Sequence, residues 1–254
     1  MSDPREALAE LVADVRVLLE DAVSRGARYD VEGDVVVEPR PEPTTAPSRW
    51  AAIADAHRQA EPADTLRRVR EDLGDCHRCK LSRGRTNLVF GVGDPEADLV
   101  VVGEGPGHNE DLQGEPFVGA AGEMLDKMLA NVLGLQRSEV YICNVVKCRP
   151  PGNRNPEPDE IEACAPFLER QIRAVGPKVL LVLGSVAYRA LLDPQGGIKR
   201  GRGAWREWNG VPALATFHPA YLLRQPDDKR LTFEDLKAVR ARYDALGGKR
   251  SRLF

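Results

Sequence analysis

The sequence of 254 residues has no uninterrupted apolar stretch near the roughly 18 residues of a membrane span. Its first residues also lack the apolar core of a secretion signal and include Asp3, Glu6 and Glu10, so we expect a cytoplasmic protein. Positive charge is not in surplus either, because the net charge is −3. A surface for nucleic acid, if there is one, must therefore be local.

Cysteine is scarce and its count is odd, with five in the chain, so a disulfide framework fits poorly. Cys76 and Cys79 form a C-x2-C pair, whereas 15 residues separate Cys148 from Cys164. Four such thiolates can bind one metal centre, either zinc or an iron–sulfur cluster. The wide, proline-rich second spacing favours the larger cluster, while four ordinary buried thiols are a third interpretation. We expect Cys143 to be a small buried residue.

Composition changes along the chain suggest four segments. We predict an N-terminal amphipathic helix in residues 1–30 and a proline-rich linker with a short helix in 31–65. A folded domain would occupy 66–246, followed by a basic tail in 247–254. The apolar stripe of the first helix suits packing against a protein partner. We expect the protein itself to be a monomer.

Strand-like and helix-like patterns alternate after residue 66. The predicted strands are Leu99–Val102, Val140–Val146 and Lys178–Leu183, with a hairpin of Trp205–Trp208 and Val211–Thr216 around the turn dipeptide Asn209-Gly210. The predicted helices are Gly122–Leu133, Glu157–Val175, one from Gly184-Ser185 to Leu192, and Leu231–Leu246. This alternation predicts a parallel sheet with helices on both faces, and a functional site beyond the carboxyl ends of its strands.

Three segments would meet at that edge of the sheet. The glycine-rich run Gly103–Gly107 matches neither the dinucleotide pattern nor the P-loop, so it is weak evidence for a nucleotide cofactor. Asn144 ends a strand, and its amide could match a base edge or simply make a turn hydrogen bond. His218 follows the last strand and could donate to a departing oxygen, although a loop residue is the simpler interpretation.

Together these motifs resemble those of the family 4 uracil-DNA glycosylases, the iron–sulfur class of bacteria and archaea. The resemblance covers about residues 70–245. The matching residues are Cys76-x2-Cys79, Gly103-Glu104-Gly105-Pro106-Gly107, Pro116-Phe117-Val118-Gly119, Asn144-Val145-Val146-Lys147-Cys148-Arg149-Pro150-Pro151, Asn153-Arg154, Cys164 and His218-Pro219-Ala220.

The resemblance implies a three-layer α/β/α sandwich around a four-stranded parallel sheet. It also implies a [4Fe–4S] cluster on the two cysteine pairs. Phe117 would stack on an everted uracil, Asn144 would bind its edge, and Glu104 would lie near the glycosidic carbon and its water. His218 would face the uracil carbonyl, and the Tyr221–Arg224 stretch would enter the DNA.

The implied activity is hydrolysis of the N-glycosidic bond of uracil in DNA, which leaves an abasic site for base excision repair. The expected substrate-binding residues are Gly105, Gly107, Asp111, Phe117, Asn144 and His218. The expected DNA-binding residues are Arg149, Arg154, Lys199, Arg200, Arg202, Leu222 and Arg224, with Lys147 in the same basic stretch. Two alternatives stay open: a nucleic-acid-binding module without catalysis, and a glycosylase for another deaminated base such as hypoxanthine.

One departure concerns the basic stretch Gly197–Arg202. A related group forms a covalent link to the sugar through a histidine in this stretch, and this sequence has none there. We therefore predict hydrolysis with turnover. His108 also replaces an acidic residue of that group, and we assign it no role.

Overall fold

The computed structural model describes residues 65–249. The predicted N-terminal helix, nearly all of the predicted linker and the end of the basic tail lie outside the described residues. Those expectations and the segment boundaries therefore stay predictions.

A mixed β-sheet forms the centre of the described domain. Its strands are β1 (Val92–Gly93), β2 (Leu99–Gly103), β3 (Tyr141–Asn144), β4 (Val179–Leu183), β5 (Trp205–Trp208) and β6 (Val211–Thr216). The order across the sheet is β1-β3-β2-β4-β6-β5. The four central strands β3, β2, β4 and β6 are parallel, and β1 and β5 pair antiparallel at the two edges.

Helices flank this sheet. They are α1 (Leu66–Leu73), α2 (His108–Gln113), α3 (Ala120–Met128), α4 (Pro158–Val175), α5 (Gly184–Leu191), α6 (Ile198–Gly201), α7 (Pro219–Arg224) and α8 (Lys229–Ala245). A π-helical turn, Leu129–Leu133, continues α3, and short 3-10 turns occur at Lys80–Arg83, Arg137–Glu139, Pro151–Asn153 and Pro226–Asp228. Within residues 65–249 no helix has the length and apolarity needed to cross a membrane.

Burial explains the strand pattern. Every residue of β2 and β4 is buried, because helices cover both faces of a parallel sheet, and such strands are continuously apolar. One layer of the core contains Val100, Val102 and Leu180, and the opposite layer contains Val101 and Leu181. The predicted α/β class is thus confirmed.

The sheet differs from the expectation in its edges. The parallel part has the four expected strands, but antiparallel edge strands raise the total in the described domain to six. The hairpin of β5 and β6 was predicted from its turn, where Asn209 and Gly210 both have positive φ, 47° and 84°. Strand β1 was not predicted, because two residues carry no periodicity.

Candidate active site

A polar cavity of about 340 Å³ opens at the carboxyl ends of the parallel strands. Three of its lining residues lie at the ends of strands: Glu104 after β2, Asn144 at the end of β3 and His218 after β6. Phe117 and Tyr221 also contribute to its lining. The structure thus brings the four principal predicted side chains, Glu104, Phe117, Asn144 and His218, to one cavity.

Phe117 is held in an unusual backbone conformation. Its φ is +55°, a left-handed value that a bulky residue rarely adopts. Two glycines leave room for its backbone and ring: a Cβ on Gly122 would lie 1.9 Å from the Phe117 carbonyl oxygen, and one on Gly103 would lie 2.5 Å from the ring. The ring stacks against His218 with centroids 5.4 Å apart. This backbone strain is stored at the cavity, as is common at functional sites.

Asn144 is 2% exposed, yet its side-chain oxygen has no hydrogen-bond partner within the described protein. The residue pairs in register with Gly103 on β2, and a Cβ on that glycine would lie 2.5 Å from the Asn144 Oδ1. Buried polar atoms are nearly always bonded, so an unpartnered one on a residue that lines a cavity indicates a ligand group. The missing partner must be a donor.

His218 precedes α7, where its Nδ1 accepts a hydrogen bond from the Ala220 backbone N–H at 3.2 Å. This bond places the imidazole hydrogen on Nε2. Burial and, to a smaller extent, the nearby positive charge of Arg224 lower the pKa of His218 to about 4, against a smaller opposing effect of Glu110. At neutral pH the site therefore holds an uncharged imidazole with one N–H to donate.

Glu104 is half-buried at the wall of the cavity. Burial raises the pKa of its carboxyl group, while the positive charge of Arg189 opposes that shift. The backbone carbonyl of Glu104 accepts from the Val146 N–H at 3.1 Å, which fixes the chain just after β2. A carboxylate in this position can interact with a positive charge or a water molecule in the cavity.

Glu110 is a site residue that the sequence interpretation missed. One carboxylate oxygen accepts from the backbone N–H groups of Val118 and Gly119 at 3.0 and 3.1 Å, and the other accepts from Gly107 at 3.1 Å. The side chain therefore joins the glycine-rich turn to the Phe117 turn. A capping-box pattern at the start of α2 was the available signal, but it does not reveal the contacts to residues 118 and 119.

Asp111 has a structural position that corrects the expectation of substrate contact. Its carboxylate is 2% exposed and accepts from the backbone N–H groups of Thr86 and Asn87, at 2.8 and 3.2 Å. The residue fastens α2 to the segment after the first cysteine pair and does not line the cavity. Gly105 and Gly107, which we also expected to contact substrate, both line the cavity.

The leucine pair in α7 also corrects an expectation. Leu222, which we expected to enter DNA, is 1% exposed and packs in the core with Leu236. Leu223 is 46% exposed. Neighbouring helical residues point in different directions, so Leu222 can be buried while Leu223 faces solvent.

The expected DNA-binding cations differ in their exposure and in their partners. Arg154 is paired with Glu160 at 2.7 Å and Arg202 with Asp235 at 2.6 Å, so both also have structural partners. The exposed cations are Lys199, Arg200 and Arg224. The half-buried Arg149 bonds to Asn153 Oδ1 at 2.7 Å and contacts His108 Nδ1 at 3.0 Å. Lys147 is fully buried, which excludes the expected contact with DNA.

The four cysteines that were predicted to bind a metal centre come from separate parts of the domain and are free thiols. They are Cys76, Cys79, Cys148 and Cys164. Within residues 65–249 no three or more His, Cys, Asp or Glu side chains form a compact group for a single metal ion. The thiols do interact: Cys164 and Cys79 raise the pKa of Cys148, and Cys79 and Cys76 raise that of Cys164, although burial is the largest cause for both.

Cationic groups surround these thiols. Arg85 donates to the Cys148 sulfur at 3.2 Å and to the Cys76 carbonyl, and Arg78 donates to the Cys76 sulfur at 3.4 Å. Cysteines whose thiolate forms would repel one another, with guanidinium groups beside two of them, suit a centre that binds them as thiolates. The donor set therefore fits an iron–sulfur cluster. Cys143 is fully buried in the core, as expected.

An α/β sheet with an aromatic ring, an amide, a carboxylate and an imidazole around a cavity at its carboxyl edge defines a class of small-molecule or base-binding enzymes. Comparison with known proteins identifies the family. The model of the uracil DNA glycosylase superfamily matches residues 90–239. The chain belongs to the uracil DNA glycosylase superfamily.

Three curated relatives illustrate the similarity. The type-4 uracil-DNA glycosylase of Sulfurisphaera tokodaii is 43% identical over 185 residues, which cover 70% of this chain and 84% of the relative. The type-4 enzyme of Thermotoga maritima is 43% identical over 177 residues, covering 68% and 92%. The type-5 uracil-DNA glycosylase of Pyrobaculum aerophilum is 34% identical over 173 residues, covering 61% and 75%.

Proposed function

We propose that this protein excises uracil from DNA by hydrolysing the N-glycosidic bond, and so leaves an abasic site for base excision repair. The observation that carries the proposal is the convergence of Phe117, Asn144, His218 and Glu104 on one cavity. A base within a duplex cannot reach such a cavity, so the target nucleotide must be everted. The Phe117 ring then offers an apolar surface, and base stacking contributes roughly 1–3 kcal/mol.

Asn144 supplies the recognition of uracil. Its unpartnered oxygen accepts a hydrogen bond, and uracil presents a ring N–H donor on the same edge as a carbonyl acceptor. Cytosine presents an acceptor at that ring nitrogen and an amino donor beside it. With cytosine the buried Asn144 oxygen would face another acceptor, and an unsatisfied buried group costs about 1–3 kcal/mol.

His218 stabilises the departing base. Bond cleavage leaves negative charge on the uracil oxygens, and a neutral imidazole with its hydrogen on Nε2 can donate to one of them. The pKa near 4 keeps the histidine uncharged at physiological pH, so no proton has to be removed before substrate binds. Removing a donor of this kind typically costs about 100- to 1,000-fold in rate.

Glu104 serves the other half of the reaction. Cleavage of an N-glycosidic bond passes through a sugar with cationic character, as in other glycoside hydrolysis. A carboxylate at the cavity wall stabilises that cation and can orient the attacking water. Its raised pKa indicates that burial has removed part of its hydration, which strengthens its interaction with a positive charge.

Uracil-containing DNA is thus the proposed partner, and a monomer is the proposed acting form. The exposed cations Lys199, Arg200 and Arg224 would contact phosphates, together with Arg149. The exposed Leu223 takes the place of Leu222 as the apolar residue that fills the vacated position in the duplex. With no histidine in Gly197–Arg202, the enzyme would release its product and turn over.

Cys76, Cys79, Cys148 and Cys164 would hold a [4Fe–4S] cluster. The relatives named type-4 glycosylases and the basic surroundings of the four thiols support this assignment. The cluster would supply a rigid anchor that joins the first cysteine pair to the loop after β3 and to α4. No step of the hydrolysis needs electron transfer from it.

An oligonucleotide assay tests the function. The protein is incubated with a strand carrying one uracil, and alkali then cleaves any abasic site. We expect cleavage with the unmodified protein, and loss of about 100-fold or more for His218→Ala and Glu104→Ala.

Matched oligonucleotides carrying cytosine, thymine or hypoxanthine at the same position define the base specificity. Equal release of hypoxanthine would favour the alternative substrate. Binding of the oligonucleotide without any alkali-labile product would favour a non-catalytic module. A product that stays crosslinked to the protein on a denaturing gel would refute turnover.

A further inference from the structure

Lys147 is completely buried, and this burial lowers the pKa of its side-chain amino group. Its Nζ donates to the backbone carbonyl of Asn144 at 2.6 Å, and its own carbonyl accepts from the Val89 N–H at 2.9 Å. No carboxylate within residues 65–249 forms a salt bridge with this ammonium. In the described protein, the neutral carbonyl of Asn144 is therefore the hydrogen-bond partner of the Lys147 side chain, and no carboxylate would balance its charge.

Such a charge is strongly unfavourable in an apolar interior unless negative charge compensates it. Burial is the largest influence on the pKa of Lys147, and negative charge on Cys143, Cys164 and Cys148 opposes it by favouring the charged lysine. The backbone N–H of Lys147 also faces Cys164 and favours its thiolate form. Cys148 and Cys164 are proposed cluster ligands, and an iron–sulfur cluster on four thiolates has a net negative charge.

The other end of this contact is the substrate pocket. Lys147 donates to the main chain of Asn144, which lines the cavity and has a buried, unpartnered side-chain oxygen. Asn144 is the last residue of β3, and the N–H of its following peptide, that of Val145, donates to the Gly103 carbonyl of β2 at 2.9 Å. Lys147 holds the carbonyl oxygen of the same peptide, so both polar groups of that peptide are fixed.

We propose that Lys147 is a positioning residue that couples the cluster to the pocket: its ammonium compensates the cluster's negative charge and simultaneously fixes the Asn144 peptide for uracil recognition. This inference rests on the proposed function and on the assigned cluster. It explains why a lysine within a basic stretch is turned inward, away from the DNA.

The test compares cluster-loaded Lys147→Met and Lys147→Arg with unmodified protein, and uses the exposed Lys237→Met as the control. One measurement is the reduction potential of the cluster, determined in a redox titration that electron paramagnetic resonance monitors. The other is the Kd of free uracil, measured by calorimetry. For Lys147→Met we expect a more negative potential, because a nearby positive charge favours the added electron, and roughly tenfold weaker uracil binding.

Lys147→Arg keeps the charge, so its potential should stay near that of the unmodified protein. An unchanged potential or an unchanged uracil affinity in Lys147→Met would overturn the coupling. If Lys147→Met does not fold, a folded Lys147→Arg with a bound cluster supports the charge argument, and equal failure of both variants refutes it. Absence of uracil excision by the unmodified protein would instead refute the proposed function, while the potentials would still report on the contact between Lys147 and the cluster.

Discussion

His218 should make the protein less stable as the pH falls. Its imidazole has a pKa of about 4 in the folded chain, whereas an imidazole in an unfolded chain titrates near 6.5. Below pH 6.5 the unfolded chain therefore binds a proton that the folded chain does not bind, and the free energy of unfolding decreases. Between pH 7 and pH 5 this residue alone should lower that free energy by about 2 kcal/mol.

The perturbation is His218→Asn, which keeps a polar side chain but cannot titrate. Urea unfolding of the cluster-loaded protein at pH 7 and pH 5 gives the free energies, and the visible absorbance of the cluster verifies that it stays bound. The variant should lose about 2 kcal/mol less than the unmodified protein over this interval. The exposed Gln113 supplies the control, since Gln113→Asn changes no titratable group and should leave the pH dependence unchanged.

The same pKa predicts the pH profile of catalysis. Because the neutral imidazole is the donor, single-turnover uracil excision should show no fall centred near pH 6.5 as the medium is acidified to pH 5. Equal pH dependence of stability in His218→Asn and unmodified protein, or an activity loss centred near pH 6.5, would contradict the buried neutral imidazole.

Three further predictions concern the supports of the site. In Glu110→Gln the amide nitrogen cannot accept from Gly107, so single-turnover excision should slow by about tenfold or more, while the same change at the exposed Glu115 should have no effect. Gly122→Ala places a Cβ against the Phe117 carbonyl and should lower both the melting temperature and uracil affinity; Gly84→Ala, with open space around it, should change neither. Leu222→Ala should cost about 2–5 kcal/mol of unfolding free energy in urea titration. Leu223→Ala should keep the stability of the unmodified protein, but its excision rate should fall more on duplex than on single-stranded DNA. Loss of stability in Leu223→Ala, with a selective loss of duplex activity in Leu222→Ala, would refute the assignment of the two leucines.

Local patterns predicted much of the fold. The apolar run Leu99–Val102 became a strand buried on both faces, and Asn209-Gly210 formed the expected tight turn. Helix α4 begins at Pro158, one residue after the predicted start. Proline, Asn-Gly and β-branched residues act through their own backbone preferences, so their effects can be predicted before any long-range contact is known.

Motif order predicted which side chains would meet. Glu104, Asn144 and His218 each follow a parallel strand, and parallel strands end at one edge of the sheet. The roles of Glu110 and Asp111 were not predictable in this way. Both are acidic residues in one turn of α2, and only the folded chain shows that Glu110 reaches the cavity loops while Asp111 bonds to residues 86 and 87.

The sequence by itself determined the layered α/β class, the cysteine pairs and the residues at the strand ends, since these depend on short-range periodicity and chain order. The tertiary structure decided which member of a local pair faces solvent, as with Leu222 and Leu223, and turned Lys147 into the interior. It also paired Arg202 with Asp235, two residues far apart in the chain. Such choices depend on packing against distant elements, and no local pattern encodes the direction from which those elements approach.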